Sequence, residues 1–388
     1  MPLIDKIVDL APEMTTWRRD IHAHPELGFQ ENRTADFVAE KLTQWGLQVF
    51  RGIGKTGLVG VLKVGNETQS IGLRADMDAL PITERNTFEH RSTHDGTMHA
   101  CGHDGHTTML LAAAKYLSTS QNFRGQVNFI FQPAEEGIGG AKAMIEDGLF
   151  EQFPCDTLYA MHNAPKMPVG AFAAVPGIRT AAGAFFDIDI IGKGAHGAFP
   201  DQGVDPVLIA GELIVALQSI VSRNMRPTQT AVLSITQVHG GDAYNVIPST
   251  TRLSGTVRTL DMRLMKKIES RMDVMVNGIC SAHGANGKVD FRIIFHPVYN
   301  DNAASEVAAN ICDELVGSEN VHRNSPAGTG SEDFSFMSEV VPSCYINIGN
   351  GEDSHSLHNH DYDFNDDALV YGASFFAKVV EQSLQNPD

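Results

Sequence analysis

Tryptophan occurs twice and cysteine five times among the 388 residues. Five cysteines in so long a chain cannot form a disulfide framework. Their odd number leaves at least one unpaired, so a reducing, cytoplasmic setting is expected. Positive charge is also scarce: 29 lysines and arginines stand against 47 aspartates and glutamates, a formal net charge of −18. That balance argues against a nucleic-acid backbone or an anionic membrane surface as the main partner. No apolar run reaches the ~18 residues that a membrane helix needs. Met1-Pro2-Leu3-Ile4-Asp5-Lys6 lacks a basic segment followed by an apolar one, so no secretory leader is expected. Repeats, low-complexity tracts and long Gly/Ser linkers are absent too. What is present, 42% hydrophobic residues over a length of about two to three domains, is enough to bury a core.

Up to about residue 181 the pattern alternates helix and strand. Phe37, Val38, Leu42 and Trp45 share one face of a helix over 31–45, and 109–117 is an apolar, Ala-rich helix. Short buried strands are predicted at 58–64, 71–74, 126–131 and 157–161. Such alternation predicts an α/β domain, its mixed, largely parallel sheet covered by helices on both faces. From 182 to 295 the order becomes strand 185–191, helix 206–221, strands 231–238 and 252–260, helix 263–280 and strand 288–295. That β-α-β-β-α-β order predicts a ferredoxin-like module. A helix at 304–316, a strand at 344–348 and a helix at 368–384 then resume the first pattern. The expected organisation is a discontinuous first domain, 1–181 and 296–388, split by an inserted domain over 182–295.

Chemistry-bearing residues collect in a few short segments. In Met98-His99-Ala100-Cys101-Gly102-His103-Asp104-Gly105-His106-Thr107, Cys101 and His103 flank one glycine just before a helix, so both can reach a common point. Thiolate and imidazole suit zinc and its first-row neighbours. Glu135 and Glu136 follow the strand at 126–131; one of the two can bind a metal while the other acts on water as general base. Asp76 and Asp78 follow the strand at 71–74, His162 follows the strand at 157–161, and His355 and His358 come after the strand at 344–348. Ligands of open α/β sheets bind outside the carboxyl ends of the strands, so these segments converge on one rim.

Taken together, the chain resembles the metallo-amidohydrolases of the aminoacylase, hippurate hydrolase and indoleacetyl-amino-acid hydrolase group, within the zinc carboxypeptidase-like dimetal superfamily. The stretches that carry the resemblance run in order along the chain: 17–27 (Trp-Arg-Arg-Asp-Ile-His-Ala-His-Pro-Glu-Leu), 74–81, 99–107, 132–137, Met161-His162-Asn163, Gly194-Ala195-His196, Asn245-Val246-Ile247-Pro248, 330–334 and Leu357-His358-Asn359. The resemblance implies a dimetal aminopeptidase-like catalytic domain. It also implies two divalent cations (Zn, Mn, Co or Ni) held by Cys101, His103, Glu136, His162 and His358, with His358 favoured over His355. Whether Cys101 bridges the metals is left open. Asp78 then reads as a carboxylate that orients a ligand histidine. The implied partner is a small-molecule N-acyl amino acid, with N-acetyl or N-benzoyl groups among the candidates, and the implied assembly is a homodimer or larger through the inserted domain.

The reaction implied is hydrolysis of the amide bond, with Glu135 as general base and His196 closing over the substrate carbonyl. Asn245 and Arg258 would hold the amino acid's carboxylate, with Arg252 and Arg263 as competing candidates for the arginine. Alternatives within the same fold are an N-acetyl-diaminopimelate deacetylase or a short-dipeptide hydrolase. A non-enzymatic alternative with the same fold is a metal- or small-molecule-binding protein without turnover, which would have no need of Glu135. Gly52-Ile53-Gly54-Lys55-Thr56-Gly57 fits the G-x-G-x-x-G spacing, but no helix opens after it, so a hairpin turn is predicted there. The nucleophile-elbow spacing G-x-S-x-G is not met at Gly328 to Glu332, and no H-E-x-x-H helix occurs.

Overall fold

A computed structural model describes residues 3–385, which divide into two units. The first runs to Arg179 and takes up again over Val298–Pro326 and from Asp333 onward; the second comprises Thr180–Pro297 and Ala327–Glu332. The short return segment belongs to the second unit because the Ala181 N–H donates to Gly330 O at 2.8 Å.

The first unit is built on an eight-stranded sheet in the order Gln48–Ile53, Gly57–Val64, Gly125–Gln132, Ser70–Asp76, Thr157–Ala164, Ser343–Gly349, Phe172–Ala173 and Val321–His322. Its four central strands, from Gly125–Gln132 to Ser343–Gly349, are mutually parallel, and antiparallel pairings flank them on both sides. The parallel centre needs cover on both faces, and Ser70–Asp76 is accordingly buried at every position. Alternate residues sort into two cores. Tyr159 and Met161 pack on one face with the helices Ala11–Ala23, Asn32–Gln44, His103–Ser120, Asn302–Val316 and Leu369–Ser383. Leu158 and Ala160 pack on the other with Gly140–Glu146 and Phe334–Val340. The sheet is therefore mixed and helix-covered on both faces. The helix at His103–Ser120 starts six residues earlier than its apolar pattern, because its first turn is polar yet wholly buried.

The second unit carries a four-stranded antiparallel sheet in the order Ala231–His239, Thr250–Thr259, Ala182–Ile191, Asn286–Phe295. Its helices, Pro206–Asn224 and Met262–Ala282, pack on the face formed by Ala182, Ala184, Phe186, Ile188 and Ile190. Pro206–Asn224 is long and apolar enough to cross a membrane by length and composition alone. Its Ile209, Leu213, Leu217 and Ile220 belong to this core, whereas Val207, Leu208 and Val215 face outward. Asp205 caps its first turn by accepting from the Val207 and Leu208 N–H groups.

One buried ion cluster fixes the start of the His103–Ser120 helix. Arg18, 1% exposed, donates to Asp363 and Asp366 at 2.7 Å each and lies 3.5 Å from Asp104. His22 Nδ1 lies 2.8 Å from the same Asp104 carboxylate. Burial alone would lower the His22 pKa, but hydrogen bonds to Asp104 and Glu84 raise it to about 9. His22 therefore stabilises the fold fully below its unfolded pKa and loses that contribution as pH rises through about 9. Replacing Arg18 by leucine would leave Asp104 buried with less compensation. We expect Arg18→Leu to cost about 3–5 kcal/mol in urea unfolding, with the midpoint as readout.

Candidate metal centre

The parallel strands end together, and their carboxyl ends deliver the donors. Pairing sets Asp76 beside Gln132 and His162 beside Asn347, so the segments that follow emerge on one edge. Gly102, at φ 92°, turns the chain into the His103–Ser120 helix; a Cβ there would lie 2.3 Å from Asn163 Oδ1. That turn aims Cys101 and His103 at the same rim.

Donor atoms of Cys101, His103 and His162 all lie within 4.8 Å of one another, as do those of Cys101, Glu136 and His358. Cys101 belongs to both groups. Its Sγ lies 3.4 Å from His162 Nε2, and His358 Nε2 lies 3.2 Å from Glu136 Oε1. Backbone contacts select the ligating nitrogens. His103 Nδ1 donates to Asp78 O at 2.8 Å and His162 Nδ1 to Asn163 O at 2.8 Å, leaving each Nε2 as the nitrogen available to ligate. Against burial, Asp76 and Asp78 raise the His103 pKa to about 10, so a cation would take the place of its Nε2 proton. His103 Nε2 is buried and has no hydrogen-bond partner among the described residues. A cation would satisfy it, and the thiol, imidazole and carboxylate donors suit two divalent ions.

Electrostatics point the same way. Burial, Glu136, Glu135 and Asp76 push the Cys101 thiol pKa well up, so only a nearby cation would make it a thiolate. Burial and the neighbouring His106 hold His162 well below the usual imidazole range, hence neutral and able to ligate. Glu135, 5% exposed, accepts the Asp333 N–H at 3.3 Å. Its carboxylate also groups with His103 and Glu136 within 4.8 Å. The Asp78 carboxylate accepts the Glu136 N–H at 3.0 Å and lies 3.3 Å from His103 Nδ1, so it touches both segments. His358 holds φ at 58°, a conformation unusual for a residue with a side chain, while His355 is exposed and in none of the donor groups.

Several residues around the centre went unassigned from sequence. His106 donates from Nδ1 to Asp76 at 2.6 Å and accepts the Asn163 N–H at Nε2 at 3.0 Å, so both nitrogens are engaged and it braces the rim. Its spacing of three from His103 on one helix was the available signal. Arg74, fully buried, donates to Gln132 at 2.8 Å and Asp76 at 2.7 Å and lies 3.4 Å from Asp333. No local pattern marks a buried arginine of this kind.

His196, Asn245 and Arg258 lie in the second unit. His196 and Asn245 line one groove of about 800 Å³, and the Gly197 N–H donates to Asn245 O at 2.7 Å. Arg258 is outside that groove, opposite Gly183 in the sheet, with its guanidinium 5.9 Å from the Phe185 ring. Arg252 is held by Asp189 at 2.7 Å and Arg263 by Asp261 at 2.8 Å, whereas Arg258 has no carboxylate partner among the described residues.

Residues 72–382 match the model of peptidase family M20/M25/M40. The chain is 45% identical to a hippurate hydrolase of Campylobacter jejuni, covering 99% of this chain and 100% of that one. It is 37% identical to an N-acetylcysteine deacetylase of Bacillus subtilis, over 94% of each. Among solved structures, a dinuclear metal-binding M20 peptidase of Bacillus subtilis superposes with a TM-score of 0.84 at 31% identity, covering 97% of this chain and 99% of that one. A dimetal rim at the carboxyl ends of a parallel sheet, a family match over most of the chain and relatives aligned along their whole length together place this protein in peptidase family M20/M25/M40.

Proposed function

We propose that this chain hydrolyses the amide bond of N-acyl amino acids, with Glu135 as general base. When bound, two divalent cations held by Cys101, His103, Glu136, His162 and His358 would polarise the scissile carbonyl and the attacking water. Cys101, common to both donor groups, would be available to either cation. Glu135 takes a proton from water as its oxygen bonds to the acyl carbon, then delivers that proton to the amine nitrogen as the C–N bond breaks. The products are a carboxylate and a free amino acid. The observation that carries this reading is the Glu135 carboxylate, buried beside His103 and Glu136 and tethered by the Asp333 N–H.

Asp78 orients His103 for its cation through the contacts already described. In the second unit, Arg258 is assigned to the substrate carboxylate, because a half-buried guanidinium without an acidic partner is available for a bidentate pair. Asn245 and His196 are assigned to the substrate's carboxylate and carbonyl from their shared groove. The outward stripe of Val207, Leu208 and Val215, with Gly211, Ala216 and Ile279, lines an apolar groove of about 850 Å³. We assign that groove to a second copy of this chain, forming a homodimer.

Glu135→Gln should retain both metals by elemental analysis and lose about 10²–10⁴-fold in kcat. Near-normal turnover by that metal-loaded variant would refute the base assignment. The substrate panel is N-acetyl, N-benzoyl and indoleacetyl amino acids, N-acetyl-diaminopimelate and short dipeptides, assayed after reconstitution with Zn, Mn, Co or Ni. On the best panel substrate, Arg258→Met should raise KM by about 10-fold or more, as expected for loss of a charge-assisted pair, and leave kcat much less affected. An unchanged KM would remove Arg258 from the site. Val215→Lys, in light scattering of the full chain, should shift the protein from dimer to monomer.

A further inference from the structure

The sequence Pro133-Ala134-Glu135-Glu136 carries the general base and a ligand on a backbone that is not relaxed. Ala134 is fully buried and holds φ at 54°, the left-handed region disfavoured for any residue with a Cβ. Rotation at Ala134 would swing Glu135 and Glu136 together, so something must hold that residue. Its carbonyl accepts the Gly140 N–H at 3.0 Å. Its N–H donates to Glu31 Oε1 at 2.8 Å.

Glu31 is itself completely buried and pairs with no lysine or arginine among the described residues; its other oxygen accepts the Thr56 hydroxyl at 2.5 Å. A buried carboxylate neutralised by no cation is costly, and its two oxygens are spent on Thr56 and Ala134 rather than on capping the helix that follows. Thr56 sits in the Gly52–Gly57 turn, which joins the antiparallel strands Gln48–Ile53 and Gly57–Val64. That turn presses on the same loop, since a Cβ at Gly57 would lie 2.7 Å from Pro133 Cδ. The helix Gly140–Glu146 crowds it too: a Cβ at Gly140 would lie 1.6 Å from Pro133 O. Turn, carboxylate and loop therefore form one stack that ends at Glu135.

We infer that Glu31 is a positioning residue for hydrolysis: clamped by Thr56, its carboxylate holds Ala134 in the left-handed conformation that aims Glu135 at the reacting water and amine. This rests on the reading of Glu135 as general base.

The test is steady-state kinetics of the full, metal-loaded chain on the N-acyl amino acid turned over fastest in the panel. Glu31→Leu removes the acceptor at similar volume, whereas Glu31→Gln keeps an oxygen for the Ala134 N–H. Glu31→Leu should lose about 10- to 100-fold in kcat with KM changed by less than about threefold and both metals retained. Glu31→Gln should restore kcat to within about threefold of the parent, a rescue that general destabilisation would not give. Should Glu31→Leu fail to fold, Thr56→Val releases the clamp from a turn and should lower kcat by about fivefold or more at unchanged KM. Parental kcat in Glu31→Leu or, where that variant does not fold, in Thr56→Val overturns the inference, as does an equal loss in Glu31→Leu and Glu31→Gln. If Glu135→Gln is inactive while the Glu31 variants match the parent, only this inference falls; an active Glu135→Gln removes the base reading beneath it.

Discussion

The constraint on which the first unit depends is the convergence of negative charge at one buried rim. Asp76, Asp78, Glu135 and Glu136 meet the Cys101 thiol where four parallel strands end. Carboxylates gathered out of water repel one another and lose hydration, so the arrangement persists only with compensating positive charge. Part of it is built in: Arg74 reaches Asp76 and lies beside Asp333. The rest falls to divalent ions, for which the backbone contacts of His103 and His162 reserve one nitrogen on each ring.

The same logic extends beneath the rim. Arg18 and His22 neutralise Asp104, one residue beyond a proposed ligand, and tie it to Asp363 and Asp366. The first turn of the helix that carries His103 is thus anchored by this cluster at Asp104. Two of the six non-glycine residues with left-handed φ among the described residues, Ala134 and His358, belong to the segments that carry Glu135, Glu136 and His358 to the site. Strain of this kind survives where packing and hydrogen bonds overdetermine it, which suits a site that must hold its groups before substrate arrives.

The second unit solves a different problem. Its sheet buries one face under two helices and carries charged residues along the other, where Arg252 pairs with Asp189 and Arg292 with Asp187. His196 and Asn245 are brought together by the pairing of Ala195–His196 with Val246–Ile247, short segments that no propensity argument would pick out. Among three neighbouring arginines, ion pairing decides which is available: Asp189 and Asp261 occupy Arg252 and Arg263.

The sequence by itself determined the class of chemistry, the alternation of strand and helix in the first unit, the strand–helix order of the second and the residues that could bind metal. These are local properties: apolar periodicity marks buried elements, and donor residues just past strand ends mark a rim. Only the tertiary structure decided which donors share a point, which histidine nitrogens stay free and which residues support them. His106, Arg74 and Glu31 act through Asn163, Gln132 and Ala134, partners 57 to 103 residues away. No spacing rule encodes such contacts, because they arise when the sheet closes and buries the polar groups together.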